Sequence, residues 1–531
     1  MSEQESKLKM GRALARKGKI SRRDFHQLAI AAGLSLAAAE TLFLAEARAE
    51  PKKGGSFKMG VGSGATTDTL DPATWPDTFN GAFGWGTIGA SLTEVQPDGK
   101  IVGDAAESFE ASEDAKAWVF RLRKGAEFHD GKSLTAEDVV ASINHHRGKD
   151  SKSAAKSLLT PVVDVKADGK DVVVVTLDSG NADFPYIASD YHLPILPAKD
   201  GKANWQEGIG LGPYKKTAFD PGVRGAAKRF DNFYGQANFD EVEILTIIDV
   251  AARTNALTSG DVNYIDRVDL KTVAQLKRNP RIKISETAGF AHYVAPMDCR
   301  VKPFDNNDVR LAIKYALDRQ QIVDKVLLGH GSPGHDNPIA QGVPYAIVPK
   351  SKHAYDPEKA KFHLKKAGMS DLKIDLSTSD AAFAGAVDAA QLMADSARAA
   401  GISINVIREA GDAYWDNVWM KKPWCLSYWS GRPTADLMFT TAYQTGAAWN
   451  DSFWSNAEFD KLLVAARSEL DPVKRGPMYE EMQNMVADDG GVAVLMFYNY
   501  VNAHDGKVAH GDVAANWDVD GLKVTKRWWF A

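Results

Sequence analysis

The stretch HYVAPMDCRVKPFDNNDVRLAIKYALDRQQIVDKVLLGHG, residues 292–331, indicates how the chain is divided. It begins as a β-strand, turns through Pro296 and Pro303, and continues as two amphipathic helices. Asp318 is the expected cap of the second helix. Apolar residues on one face of the first helix recur at Val309, Ala312, Ile313, Ala316 and Leu317. Because strands alternate with helices on both sides, we interpret this stretch as a crossing between two α/β lobes.

Length and charge limit the protein's class. A chain of 531 residues predicts two or three domains with ample buried core. The net charge of −5 argues against a dominant nucleic-acid role, because a large basic face would need an equally large acidic one. The 13 Trp and 15 Tyr residues provide many planar aromatic side chains, which hints at a groove lined by rings.

The N-terminal region, residues 1–49, has the pattern of a twin-arginine export signal. Arg22 and Arg23 precede an apolar run over residues 28–39, which is too short to span a bilayer, and Ala47-Arg48-Ala49 forms a cleavage site. The alternative is a cytosolic amphipathic helix. Export predicts a mature, soluble periplasmic chain that starts near Glu50. No lipid anchor is expected, because no cysteine lies at the cleavage site.

Two cysteines, Cys299 and Cys425, are the only thiols in the sequence. In an exported protein they predict one disulfide. Two free buried thiols are the alternative. A zinc site is disfavoured, because neither cysteine has the closely spaced partner ligands that zinc needs.

Catalytic motifs are scarce. The chain has no GxSxG elbow and no HExxH pair. Ser153 and Lys156 match SxxK, but the SDN and KTG partners are missing. His145 and His146 are adjacent in a predicted helix, so their rings face different ways and cannot share a metal. We therefore expect no catalytic residue, no metal and no cofactor.

The segment YWDNVWMKKPWCLSYWSGRPTAD, residues 414–436, interleaves rings with charges and follows neither helix nor strand period. Rings can cover a ligand, an arginine or lysine can meet an anion, and an aspartate can meet a cation. We interpret the segment as a wall of a binding groove, and the alternative is a domain-interface loop with core aromatics. Its candidate ligand contacts are Lys421, Trp424, Ser427, Tyr428, Trp429, Arg432 and Asp436.

The chain resembles the large extracytoplasmic solute-binding proteins of bacterial ABC importers, the dipeptide- and oligopeptide-binding class. The matching motifs span nearly the whole mature chain. They are TLDP (69–72), FRLRKGAEFHDGKSLTAEDV (120–139), LGPY (211–214), PFDNNDVRLAIKYALDR (303–319) and YDPEKA (355–360). These motifs are specific for the family but not for its ligand.

This resemblance implies an α/β, two-lobe clamp that encloses its ligand. Residues 50–95, 225–297 and 501–531 would form a discontinuous first lobe, 96–224 an inserted subdomain of that lobe, and 298–500 the second lobe. The hinges would lie near Pro296 and Val501.

The resemblance also implies that a disulfide joins Cys299 to Cys425. In the oligopeptide-binding branch, a Trp-Cys-x-Asp motif supplies an aspartate that holds the peptide's α-amine. Ser427 stands at that position here, and Asp436 is a possible substitute. Tyr500 resembles a tyrosine that contacts ligand at the second hinge, and Lys421 is placed to meet a ligand carboxylate.

The predicted function is that of a monomeric periplasmic receptor. It would bind short peptides and deliver them to the permease and ATPase complex of an ABC importer in the inner membrane. A receptor for a non-peptide solute, such as an opine, a sugar derivative or a metal chelate, is the alternative. A secreted hydrolase is a third possibility, but the sequence lacks a recognisable nucleophile–base pair.

Overall fold

The computed structural model describes residues 7–8, 10–12, 14, 20–35, 38–40 and 52–531. The two arginines of the predicted export signal begin the helix Arg22–Ala31, which Ser21 caps by accepting the main-chain N–H of Asp24 at 3.2 Å. The expected cleavage site at 47–49 lies outside the described residues. Within the described part of the chain, no helix has the length and apolar character needed to cross a membrane.

Two long antiparallel strands, Ile282–Pro296 and Val492–Asp505, connect the lobes, and we call them the hinge strands. Residues 282–288 pair with 499–505, and residues 292–296 pair with 492–497. Between these two ladders, residues 289–291 lie opposite Tyr498 alone. Such a bulge bends a strand and interrupts its pairing. The ladder is irregular at 289–291 and again between Tyr293 and Val294, whereas the predicted hinges lie near Pro296 and Val501.

The first lobe is built on a nine-stranded mixed sheet that also contains the hinge strands. Its central strand, Ser56–Val61, lies parallel to Glu241–Thr246 on one side and to Tyr264–Ile265 on the other. The strand Tyr214–Asp220 joins this sheet by pairing with Arg224–Arg229. The predicted subdomain boundary at residue 224 is therefore too late, because Tyr214 already belongs to the first-lobe core.

The other first-lobe elements surround this sheet and include the C-terminal segment. They are Pro72–Thr74, Thr78–Asn80, Gly81–Thr87, Val250–Ser259, Leu270–Thr272, Val273–Leu276, Val508–Ala509, Asp518–Gly521, Val524–Arg527 and Trp529–Phe530.

The inserted subdomain has a separate core around a four-stranded antiparallel sheet. Thr135 and Asp138 form a capping box on its main helix, in which the Asp138 carboxylate accepts the Thr135 main-chain N–H at 2.9 Å. The elements are Thr93–Val95, Ile101–Gly103, Ala106–Ala111, Ala117–Leu122, Ala136–His145, Ser157–Leu159, Val162–Ala167, Val172–Leu177, Phe184–Ile187, Ala198–Lys199 and Lys202–Ala203.

The second lobe is mainly helical. Asn306 caps the helix Asn307–Ala316, and Asp318 caps Arg319–Val326 by accepting the Gln321 main-chain N–H at 3.0 Å, so both predicted helices are confirmed. The remaining elements are Gly331–Pro333, Pro357–Lys366, Leu372–Thr378, Ala386–Ala397, Arg398–Ala400, Ile402–Arg408, Tyr414–Asn417, Ser427–Trp429, Ala435–Ala442, Ala457–Ser468 and Pro472–Asp489.

The second lobe touches the subdomain through a buried ion pair. Arg475 donates to Asp183 with its Nη1 2.7 Å from the carboxylate oxygen, and both side chains are almost fully enclosed. Next to them, the main-chain N–H of Ala182 donates to the carbonyl of Arg467 at 2.7 Å. The lobes are thus in direct contact, with a groove beside that contact.

We expect Gly289→Ala to destabilise the fold. A Cβ at position 289 would lie 2.7 Å from the Tyr498 carbonyl oxygen and 3.2 Å from the Tyr500 ring, which forces the hinge strands apart. Overpacking of this kind costs about 1–3 kcal/mol in the free energy of unfolding, measurable by urea denaturation. Gly511→Ala is the control, because nothing lies within 4 Å of its added Cβ. Equal stability of the two variants would contradict the close approach.

Candidate ligand-binding groove

The groove between the lobes consists of two adjoining cavities of about 330 and about 520 Å³. Both are lined by subdomain residues on one side and by the second-lobe helix Ala435–Ala442 on the other. The residues that line both cavities are Ser157, Leu158, Ile187, Leu437, Thr441 and Trp449. Volumes of this size are typical of sites for small ligands.

The smaller cavity brings together the subdomain, the second lobe and the C-terminal segment. Tyr191 meets Trp517 edge to face, with ring centroids 5.3 Å apart. From the second lobe come Arg432 and Trp449, and the Trp449 side chain is 51% exposed beside the buried Trp429 ring. Rings from separate parts of the chain therefore flank one guanidinium group.

Arg432 has no carboxylate partner within 4.0 Å among the described residues. Its Nη1 donates to the main-chain carbonyls of Ser430 at 3.1 Å and Gly431 at 3.4 Å. Burial lowers the pKa of this guanidinium, which nevertheless stays charged because arginine does not lose its proton in proteins. The result is a positive charge at the groove wall that has no direct ion-pair partner among the described residues, although Asp190 is close enough to act on it electrostatically.

Asp190 lies on the opposite wall and is held by His192. The ring Nδ1 of His192 is 2.7 Å from the Asp190 carboxylate, and its Nε2 is 2.9 Å from the carbonyl of Trp75. Both ring nitrogens of His192 are thus engaged, one by the Asp190 carboxylate and the other by the Trp75 carbonyl. Asp190 is thereby held by a hydrogen-bond partner within its own wall.

Asp436 is likewise already paired. It lies in the first turn of the helix Ala435–Ala442, and Arg467 donates to it with Nε 2.9 Å from the carboxylate. Burial raises the pKa of Asp436 to about 6, against the lowering effect of Arg467. The carboxylate lines the larger cavity but is not free to replace an acid at Ser427.

The hinge strands contribute a row of tyrosines. Tyr293 stacks on Phe383 with centroids 3.9 Å apart, and Tyr498 stacks on Tyr293 at 5.1 Å. Tyr500 meets Tyr498 edge to face at 5.9 Å, and burial raises the pKa of Tyr500 well above its ordinary value. The first-lobe side chain of Arg267 is close enough to affect these phenols electrostatically.

The side chains of the short strand Ser427–Trp429, all of them predicted contacts, point alternately to its two faces. It pairs with residues 292–294 of the hinge, and its side chains alternate, with Ser427 and Trp429 buried and Tyr428 43% exposed. Trp424 is only 1% exposed and packs against Phe304 in the second-lobe core, away from the groove. Lys421 is exposed on a turn.

The predicted disulfide is not present in the structure, in which both cysteines are free thiols. Met297 lies opposite Trp424 in an antiparallel bridge, and the Asp298 N–H donates to the Pro423 carbonyl at 2.8 Å. In this register Cys425 is opposite Pro296, and Cys299 lies in the turn that follows the bridge, so the pairing does not place the two cysteines opposite each other.

Sequence reasoning missed Asp190, His192 and Trp517. The first two follow a proline-interrupted stretch, and Trp517 lies near the C-terminus, so no local pattern connects them with residues 414–436. Among the described residues, no group of three or more histidines, cysteines and carboxylates is arranged to hold a metal ion.

A sequence profile of the bacterial extracellular solute-binding proteins, family 5, matches residues 100–451, about two thirds of the chain. The chain belongs to this family. Its lobes and hinge strands therefore form a solute-binding fold.

Individual relatives are distant. The glutathione-binding protein GsiB of Pectobacterium atrosepticum is 22% identical over 474 residues, covering 84% of this chain and 90% of GsiB. The oligopeptide-binding protein AppA of Bacillus subtilis is 26% identical over 444 residues, covering 77% of this chain and 80% of AppA. The structure of AgaA from A. tumefaciens R10, in complex with agropinic acid, superposes with a TM-score of 0.72 at 23% identity, covering 90% of this chain and 99% of AgaA.

The cysteines offer a direct test. After unfolding in guanidinium chloride without reductant, a thiol reagent should modify two groups per chain, because no bond joins Cys299 to Cys425. The melting temperature should also be the same with and without reductant. Cys299→Ser is the control and should leave one reactive group. A count of zero in the unfolded wild-type protein would show that the disulfide forms.

Asp451 is a buried carboxylate behind the groove wall. Its ionisation should make the free energy of unfolding depend on pH. Burial raises its pKa to about 7, although the indole N–H of Trp419 donates to its carboxylate at 3.1 Å. A raised folded pKa means that the native state binds the proton more tightly than the unfolded state. The cost of ionising Asp451 therefore grows from about pH 4 to about pH 7 and is constant above that.

Asp451→Asn removes this cost and keeps the acceptor for Trp419. We expect the variant to exceed the wild type in unfolding free energy by on the order of 2 kcal/mol at pH 8, with no gain at pH 4. Urea denaturation at both pH values measures the difference. Asp416→Asn, at an exposed carboxylate of the same lobe, is the control. A gain that is the same at both pH values would contradict the assignment.

Proposed function

We propose that the protein is the receptor of an ABC importer, that it binds short peptides between its lobes, and that it delivers them to a membrane permease and ATPase complex. The observation that carries this proposal is the Arg432 guanidinium, which lies in the groove without a carboxylate partner among the described residues. A peptide supplies an anionic carboxylate for this arginine and apolar side chains for the rings of Tyr191, Trp449 and Trp517.

The relatives support a peptide ligand. Both AppA and GsiB are named for peptides, an oligopeptide in one case and the tripeptide glutathione in the other. AgaA was solved with agropinic acid, so a non-peptide solute is the second candidate. Both classes carry a carboxylate that suits Arg432, and only binding measurements separate them.

Closure of the lobes would retain the ligand. Arg432 and Trp449 belong to the second lobe, whereas Tyr191 belongs to the subdomain and Trp517 to the C-terminal segment. A ligand that contacts all of them favours the closed state over the open one, which is the condition for a ligand-driven hinge motion. The ion pair between Asp183 and Arg475 would add to the closed state.

Hydrolysis is less well supported. The hydroxyl of Ser153 is 2.7 Å from Nδ1 of His146, which is a nucleophile–base contact. However, Ser153 is 8% exposed and His146 is 1% exposed, and burial lowers the pKa of His146 to about 3. A base this weak, in a position that substrate cannot reach, does not favour catalysis. We therefore propose a binding protein without enzymatic activity.

The location and assembly are also proposals. The twin-arginine pattern at Arg22 and Arg23 supports export, and the family consists of extracellular proteins. We propose that the mature protein works as an unanchored monomer in the periplasm.

The ligand class is testable by thermal shift with di- to pentapeptides and with agropinic acid as the non-peptide comparison. We expect peptides to raise the melting temperature, because binding to the folded state alone stabilises it. If agropinic acid stabilises the protein and no peptide does, the peptide proposal fails.

Arg432→Gln should weaken the strongest peptide hit by about tenfold or more, because the charge-assisted bond to the ligand is lost. Isothermal titration calorimetry measures the change. Arg278→Gln is the matched control, because it removes an exposed arginine outside the groove. Unchanged affinity in Arg432→Gln would remove this arginine from the site.

A further inference from the structure

We infer that the groove selects ligands by an anionic group and does not require a free ammonium group, so that peptides with a blocked amino end are accepted. This inference rests on the proposed function, because it defines which peptides that same groove takes.

Arg432 is the charged group of the groove that lacks a direct partner. Two carboxylates, Asp190 and Asp436, line its two cavities. His192 pairs with Asp190 at 2.7 Å, and Arg467 pairs with Asp436 at 2.9 Å. Arg432 has no such partner among the described residues, although Asp190 is close enough to act on it electrostatically. A ligand anion would supply the missing direct partner.

A ligand ammonium group has no equivalent site among these groups. At Asp190 it would compete with the His192 ring, whose two nitrogens are both engaged, by the carboxylate and by the carbonyl of Trp75. At Asp436 it would have to displace Arg467, which also donates to Thr440 at 2.5 Å. Displacing Arg467 leaves a cation without its partner in a partly desolvated wall, which is costly. Displacing His192 breaks its hydrogen bond to Asp190.

An uncharged amino end fits the remaining surface better. Beside Arg432, the small cavity presents the rings of Tyr191, Trp449 and Trp517. An N-acyl group can pack against rings without the desolvation cost of an ammonium ion. The small cavity therefore combines one contact for a ligand anion, at Arg432, with an apolar surface.

The experiment uses a mixed-sequence tripeptide pool in four forms: unmodified, N-acetylated, C-amidated, and modified at both ends. Each pool is equilibrated with the wild-type protein, and the retained peptides are quantified by mass spectrometry. We expect acetylation to change retention less than about threefold. Amidation should lower retention by about tenfold or more, except for peptides that carry Asp or Glu. Amidated peptides that remain bound would identify a side-chain carboxylate as the anion.

The outcomes separate the inference from the function on which it rests. If only the pools with a free amine are retained, the inference is overturned while the peptide proposal stands. If no pool is retained, the peptide proposal itself fails. If amidation has no effect, even on peptides without Asp or Glu, the assignment of Arg432 as the contact for a ligand anion is overturned.

Two variants test the roles that we assign to Arg432 and Asp190. Arg432→Gln should abolish the preference for carboxylates over amides. Asp190→Asn should leave the ratio of acetylated to free peptide unchanged, because we assign no ligand ammonium to Asp190. A selective loss of the free-amine peptides in Asp190→Asn would overturn the inference and make Asp190 an amine-binding residue. The melting temperature of each variant without peptide controls for folding.

Discussion

Backbone hydrogen bonds between the two hinge strands, Ile282–Pro296 and Val492–Asp505, hold the first lobe at one end and the second lobe at the other. The first-lobe strand Tyr264–Ile265 adds to one end of this ladder, and the second-lobe strand Ser427–Trp429 adds to the other. Between them, residues 289–291 lie opposite a single residue, and the ladder is interrupted there. A second irregularity lies between Tyr293 and Val294, so the regular pairing is interrupted twice in the stretch beside the tyrosines of the hinge.

The same ladder orients the groove. Because Ser427–Trp429 pairs with the hinge, the chain that follows it brings Arg432 to the wall opposite Asp190. Asp190 has a hydrogen-bond partner within its own wall, whereas among the described residues the arginine donates only to main-chain carbonyls. A cation in a partly desolvated position without a counterion is an unfavourable arrangement for stability alone. It is favourable for binding, since the ligand supplies the missing charge.

Much of the fold was predictable from short patterns. The cap at Asp318 and the strand that runs through His292 follow from local residue types and from hydrophobic period. The second-lobe wall was also recognised, through the mixture of rings and charges around Arg432. The opposite wall was not, because Asp190 and Trp517 are brought together only by the fold. No pattern in a single sequence records such a contact.

The sequence by itself determined the helices, the strands and the family, because these depend on neighbouring residues and on motifs along the chain. The tertiary structure decided which side chains point where. Alternation along Ser427–Trp429 exposes Tyr428 and buries Ser427 and Trp429, so these two candidate contacts point away from the surface. The register that sets Met297 opposite Trp424 places Cys425 opposite Pro296 and not opposite Cys299. Pairing register is a long-range choice, and a shift of one residue reverses every face.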